Sequence, residues 1–225
     1  MKQTKYILLS AALLLSAVNG VTVASAADAK SDASVTMVKD DDPLKIEKTP
    51  VIQFGKQTIS GSTKTYKARY IESEKETVGG VTEYLAPSIH IADNRGTTEG
   101  WKLEASITPF KANDAAKTEL AGAVLALTPT RSVKVENEPA AIPAGQTAIE
   151  LGASAKTIVT ATSGLGIGKS NYFFGDNSAD VTPEVIGKTG NVGDDKVTLT
   201  VPGDSVKVQD ATYLAELTWT LSNTP

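Results

Sequence analysis

The strictest pattern in this chain is alternation near its end. Tyr213, Ala215, Leu217, Trp219 and Leu221 share one parity, while Glu216, Thr218, Thr220 and Ser222 hold the other, with Leu214 the one apolar exception. Successive side chains of a strand point to opposite faces, so this segment reads as a half-buried strand. A helix would set Leu217 and Trp219 about 200° apart and scatter the apolar set. The arrangement has an earlier echo, in which Trp101, Leu103, Ala105 and Ile107 alternate with Lys102, Glu104, Ser106 and Thr108. Both copies contain Trp-x-Leu, and they hold the chain's only two tryptophans.

Similar short alternating runs fill the space between. Strands are expected at Val51–Phe54, Thr65–Ile71, Ser88–Ile91, Trp101–Ile107, Ala123–Thr128, Ser132–Val135, Thr157–Ala161, Tyr172–Phe174, Lys196–Val201 and Ala211–Leu221, with a short one near Val35 and Met37. Turn chemistry separates them, as at Gly61-Ser62, Gly79-Gly80, Asn94-Arg95-Gly96 and Pro202-Gly203-Asp204. Such spacing predicts an all-β, single-domain β-sandwich or barrel-like fold with at most short helical turns. The one helical candidate is Asn113–Leu120, with Asn113 or Asp114 as its cap.

Residues 1–26 read as a signal peptide: Lys2 and Lys5, an apolar run from Tyr6 to Val18, then Ala24-Ser25-Ala26. Residues 27–34 are small and polar and read as disordered, leaving 35–225 as the β domain. Removing the leader takes away two of 22 basic residues and none of 26 acidic ones, so the mature chain is acidic and poorly suited to nucleic acid. Cysteine is absent, so an exported chain of this kind relies on packing and strand pairing and carries no lipid-anchored cysteine. No sortase-type signal and no apolar tail are visible, and the mature chain is read as having no transmembrane segment. Such a protein is either released or held at the surface non-covalently.

The paired motifs carry a resemblance. Tyr213, Leu217, Thr218, Trp219, Thr220, Leu221 and Pro225 fit the distal motif of the WxL-domain family of Gram-positive cell-surface proteins. Trp101 and Leu103, with their lead-in Asp93-Asn-Arg95-Gly96-Thr-Thr-Glu-Gly100, resemble its proximal motif. Pro50–Gly55, Gly164–Gly168 and Val197–Pro202 are similar to further parts of the family, so the likeness spans nearly the whole mature chain. It implies a secreted, cell wall-associated protein attaching non-covalently to peptidoglycan, in a surface complex with a membrane-anchored, WxL-interacting protein. With little besides the domain, the chain resembles a structural or adaptor member. The rival reading is an adhesin for host matrix or polysaccharide, and a wall hydrolase comes last.

The residues offer little to catalysis, and no catalytic, cofactor or metal residue is assigned. Gly164-x-x-x-Gly168-Lys169-Ser170 is one residue short of a phosphate-binding loop and does not run into a helical sequence. Asp176-x-Ser178-x-Asp180 lacks the glycine and the final acid of a calcium loop. His90 is the sole histidine and lies on the face opposite Ile89 and Ile91, so zinc sets and Cys-His chemistry lack material. Glu104 and Glu216 flank the two motifs and could form a glycosidase pair, or simply keep the strands' outer faces soluble. The tryptophans admit two roles: stacking on wall sugars, or sitting in the core with each indole N–H bonded within the fold. An apolar partner at every second residue favours burial.

Overall fold

The computed structural model describes residues 33–38, 40–71, 75–78, 80–134, 147–176 and 194–223. The chain divides into two units, Met1–Met37 and Val38–Pro225. Residues 33–37 of the first have no regular structure. Val35 and Met37 are exposed there, so the strand expected around them does not form. Two apolar side chains with no opposing face do not offset the entropy of ordering the backbone. The leader, residues 1–26, and most of the segment to residue 34 lie outside the described residues.

The second unit is all-β, and its described residues form fifteen strands and no helix. Strands are numbered in chain order, and every pairing is antiparallel. In the first sheet β1 (Leu44–Lys48), β5 (Ser88–Asp93), β12 (Gly168–Phe173) and β9 (Arg131–Lys134) lie side by side in that order. The second sheet runs β10 (Ile149–Glu150), β8 (Val124–Leu127), β13 (Asp194–Val201), β2 (Lys64–Ala68). A third sets β6 (Trp101–Ile107) between β11 (Lys156–Ala161) and β15 (Leu217–Ser222). Two small pairs complete the unit, β7 (Lys111–Ala112) with β14 (Tyr213–Leu214) and the hairpin of β3 (Lys75–Val78) with β4 (Val81–Tyr84).

These sheets pack as a sandwich around one apolar cluster. The first sheet supplies Ile89, Ile91 and Tyr172, the second Ala68, Leu125, Leu127 and Val197, and the third Trp101, Leu103, Ala105, Val159 and Ala161. Alternation explains the selection: on β6 the odd-numbered residues from Trp101 to Ala105 are buried, and Lys102 and Glu104 between them are half-exposed. The segment after β10 stitches the second sheet to the third. Leu151 N–H donates to the Leu125 carbonyl (2.9 Å), and the next carbonyl, of Gly152, accepts from Ile107 N–H (2.9 Å).

Three expected elements take another form. No strand forms over residues 51–54, where the Gln53 carbonyl accepts from Arg69 N–H (2.7 Å) but no ladder continues on either side. The strand expected over Ala211–Leu221 is interrupted, because Leu214 faces Lys111 and Leu217 faces Ile107, which sets two residues opposite three. The extra residue makes a bulge containing Pro109, which has no N–H to give a ladder. Thr108 holds the gap: its N–H donates to the Glu216 carbonyl (2.9 Å), and its hydroxyl accepts from Glu216 N–H (2.8 Å). The helical candidate Asn113–Leu120 is a turn. Asp114 accepts from the N–H (2.9 Å) and hydroxyl (2.7 Å) of Thr118, local bonds that compete with helix formation. Those bonds, the hydroxyl's first, also hold the Asp114 carboxyl below its ordinary pKa.

Candidate functional site

The two Trp-x-Leu strands are direct neighbours. Leu221 lies opposite Leu103, and Trp219 opposite Ala105, so both motifs point their apolar residues into the same layer. Trp101 has no exposed surface. Its Nε1–H donates to the Gly166 carbonyl at 3.1 Å, and its ring stands edge-on to Tyr172 with centroids 5.7 Å apart and planes at 84°. An indole N–H buried without a partner would cost about 1–3 kcal/mol, so the Gly166 carbonyl is part of what lets a tryptophan occupy this position. Gly166 (φ +75°) must be glycine, since a Cβ there would stand 2.5 Å from Nε1.

The lead-in to the proximal motif is a clamp. Asp93, 1% exposed at its side chain, accepts from Arg95 Nε (2.8 Å) and Nη2 (2.7 Å), and Nη2 also donates to the Gly100 carbonyl at 2.6 Å. This bidentate pair fixes the loop that enters β6, and the Asp93 contact raises the Arg95 pKa further. Thr98 accepts from Gly164 N–H (2.9 Å), tying that loop to the glycine-rich turn whose Gly166 caps the indole. Two family-like segments, 93–103 and 164–168, thus meet around one tryptophan.

The distal motif is arranged differently. Leu217, Trp219 and Leu221 are half-buried, Thr218 and Thr220 are exposed, and Trp219 packs on Phe174 with centroids 5.9 Å apart and planes at 35°. Tyr213 lies outside this layer. It sits in β14 beyond the bulge, where its hydroxyl accepts from Val208 N–H at 2.8 Å. Pro225 is outside the described residues.

Tyr172, the ring beside Trp101, brings a buried hydroxyl that makes no hydrogen bond of ordinary geometry. Burial pushes its pKa well up, which the Ser170 side chain offsets only in part.

The other candidates separate. Thr220 lies opposite Glu104, and Glu216 bonds to Thr108, so the two carboxylates are four residues apart along the paired strands. At about 3.3 Å per residue their backbones are roughly 13 Å apart along the strands, and among the described residues no bond joins the two carboxylates. Lys102 also holds Glu104 at 3.3 Å. Gly168, Lys169 and Ser170 begin strand β12, and Lys169 pairs with Glu47 at 2.8 Å, so the phosphate-loop segment has no helix to follow it. His90 is half-buried with Ser88 Oγ 3.1 Å from its Nε2. Among the described residues no group of three or more His, Cys, Asp or Glu is placed to hold a metal ion. No helix among them is long and apolar enough to cross a membrane.

A second feature joins residues that the sequence pattern does not connect. Phe54, Tyr66, Phe110 and Tyr213, all half-buried, line a groove of about 490 Å³ at one end of the second sheet. Leu199 lies opposite Tyr66 across β13 and β2, and Leu199, Val201 and Leu120 form a small apolar floor apart from the main core. Tyr66 and Tyr213 are two of the chain's six tyrosines, and Phe54 and Phe110 two of its four phenylalanines. Phe54 and Tyr213 fall in family-like segments, Tyr66 and Phe110 do not, and no spacing joins the four.

A family model described as WxL domain, surface cell wall-binding, matches residues 24–225. No curated protein and no solved structure gives a match. The matched span includes both tryptophan strands, the Asp93–Arg95 clamp and the groove, and the family's role is binding to the cell wall at the surface. A chain matched over almost its whole length, with both Trp-x-Leu strands joined edge to edge in one sheet, belongs to the WxL-domain family of cell wall-binding surface proteins.

Proposed function

We propose that this chain is a secreted, non-catalytic member of its family that attaches non-covalently to the peptidoglycan of a Gram-positive cell. There it serves as a structural or adaptor component beside a membrane-anchored, WxL-interacting protein. The observation that carries the reading is the extent of the match: the wall-binding family model covers residues 24–225, which supports the sandwich itself as the part that meets the wall.

Sedimentation with purified, deproteinised walls tests it, before and after the anionic polymers are stripped from the peptidoglycan. Retention on both preparations supports peptidoglycan as the ligand, and loss on stripping overturns it. Retention is also expected to survive moderate salt. Without the leader the chain has 20 basic against 26 acidic residues, a net charge of −6, and meets an anionic wall, whereas attraction between exposed charges is screened within about 8 Å at physiological ionic strength.

A further inference from the structure

We infer that the aromatic groove is the glycan-binding site of this domain, taking a neutral stretch of N-acetylated pyranose chain. The inference rests on the wall-binding reading and goes further by naming the surface and the ligand chemistry. Four aromatic side chains lie half in the satellite cluster of Leu120, Leu199 and Val201 and half in the groove. No described side chain fills the space between them, and its volume of about 490 Å³ falls within the usual 300–1,000 Å³ of small-ligand sites. A pyranose ring has one apolar C–H face and a polar edge. The face suits an aromatic surface, and the edge needs hydrogen-bonding groups around it.

The rim provides those groups. Gln57 is anchored by its Nε2–H to the Phe54 carbonyl at 2.6 Å, and the exposed Thr58 and Thr212 also line the groove. The rim carries only one net positive charge. Lys56 and Asp210 are opposite in sign, and the Lys207 ammonium is occupied by the carbonyls of Pro202 (2.8 Å), Gly203 (3.1 Å) and Ser205 (3.0 Å). A near-neutral aromatic groove matches an uncharged sugar chain better than a polyphosphate or a charged peptide. The tryptophans, which would be the first choice for a sugar platform, pack with the main core and do not line the groove.

The test uses the whole mature chain and uncharged N-acetylglucosamine oligosaccharides as the glycan, followed by calorimetry and NMR. Chemical-shift changes confined to the residues around Phe54, Tyr66, Phe110 and Tyr213 are expected. Tyr66→Ala is expected to weaken binding about tenfold, equivalent to about 1.4 kcal/mol. Thr58→Trp, at an exposed position, is expected to block the groove while leaving the melting temperature unchanged, which keeps the test decisive should Tyr66→Ala fail to fold. Shifts at β6 and β15, or unaltered binding by Thr58→Trp together with normal retention on walls, would overturn the groove and leave wall binding intact. Shifts at the groove from free stem peptides and none from glycan would overturn the ligand class. If the unaltered chain is not retained on walls at all, the parent reading and the groove fall together.

Discussion

The two Trp-x-Leu strands share a motif and a sheet, yet they are buried to different depths. β6 has a strand on each side, and its tryptophan is sealed: no exposed surface, an N–H bonded to Gly166, and an edge contact to Tyr172. β15 pairs with β6 on one side only, and its tryptophan is half-buried against Phe174. The inner face of β6 is buried from Trp101 to Ala105, whereas on β15 the same parity is only half-buried. Place in the sheet sets how much a motif residue is buried, because a central strand is covered along both edges and a terminal one is not. The proximal copy is therefore the anchor, and the distal copy closes the layer.

The most severe test removes the closing strand altogether. A chain ending at Thr212 loses β14 and β15, uncovers Leu103 and Ala105 along β6, and exposes a new sheet edge. It is expected to show no cooperative thermal transition by circular dichroism; a melt near the full-length midpoint would reduce the distal motif to an appendage. Next come the two tryptophans themselves. Trp101→Ala is expected to cost about 3–5 kcal/mol in denaturant unfolding, a large part of a stability of about 5–15 kcal/mol, and Trp219→Ala roughly 2 kcal/mol. Equal losses would break the contrast between anchor and closure.

A milder test leaves stability nearly intact. With Trp219→Phe the remaining Trp101 emission is expected to be blue-shifted and resistant to iodide, whereas Trp101→Phe leaves a redder, more readily quenched Trp219. Identical quenching would contradict the difference in exposure.

The smallest effect concerns Tyr172. Its hydroxyl is buried and burial raises its folded pKa, which the Ser170 side chain offsets only in part, so the neutral form is favoured in the native state. Stability is then unaffected by this group below its ordinary value near 10 and falls as pH rises beyond it. Tyr172→Phe is expected to change little at neutral pH and to gain on the unaltered protein above about pH 10, read from paired denaturation curves.

What the sequence disclosed and what it hid follow from the range of the interactions. Alternation is local, so β6 runs over the residues its pattern predicts, and the fold class and family are legible from two strands and their flanks. The break at Ala215-Glu216 was not legible within the distal run, because its cause, the extra residue beside Pro109, lies on the partner strand. The turn at Asp114 was misread as helical because a helix cap and a closed side-chain turn begin with the same residue types. The groove was invisible for a stronger reason. Phe54, Tyr66, Phe110 and Tyr213 meet only after β2 has paired with β13 and β7 with β14, and no window of sequence contains that.

The bulge at Pro109 has a mechanical consequence. By bending one continuous ladder it lets the terminal segment act as a corner brace, with Trp219 seated against the main core at one end and Tyr213 set as a wall of the groove at the other. Positioning Tyr213 is then an event of folding, so a ligand entering the groove meets a wall already in place and need not order it. Core substitutions near Trp219 should accordingly propagate along the brace and register as altered affinity at a surface they do not touch.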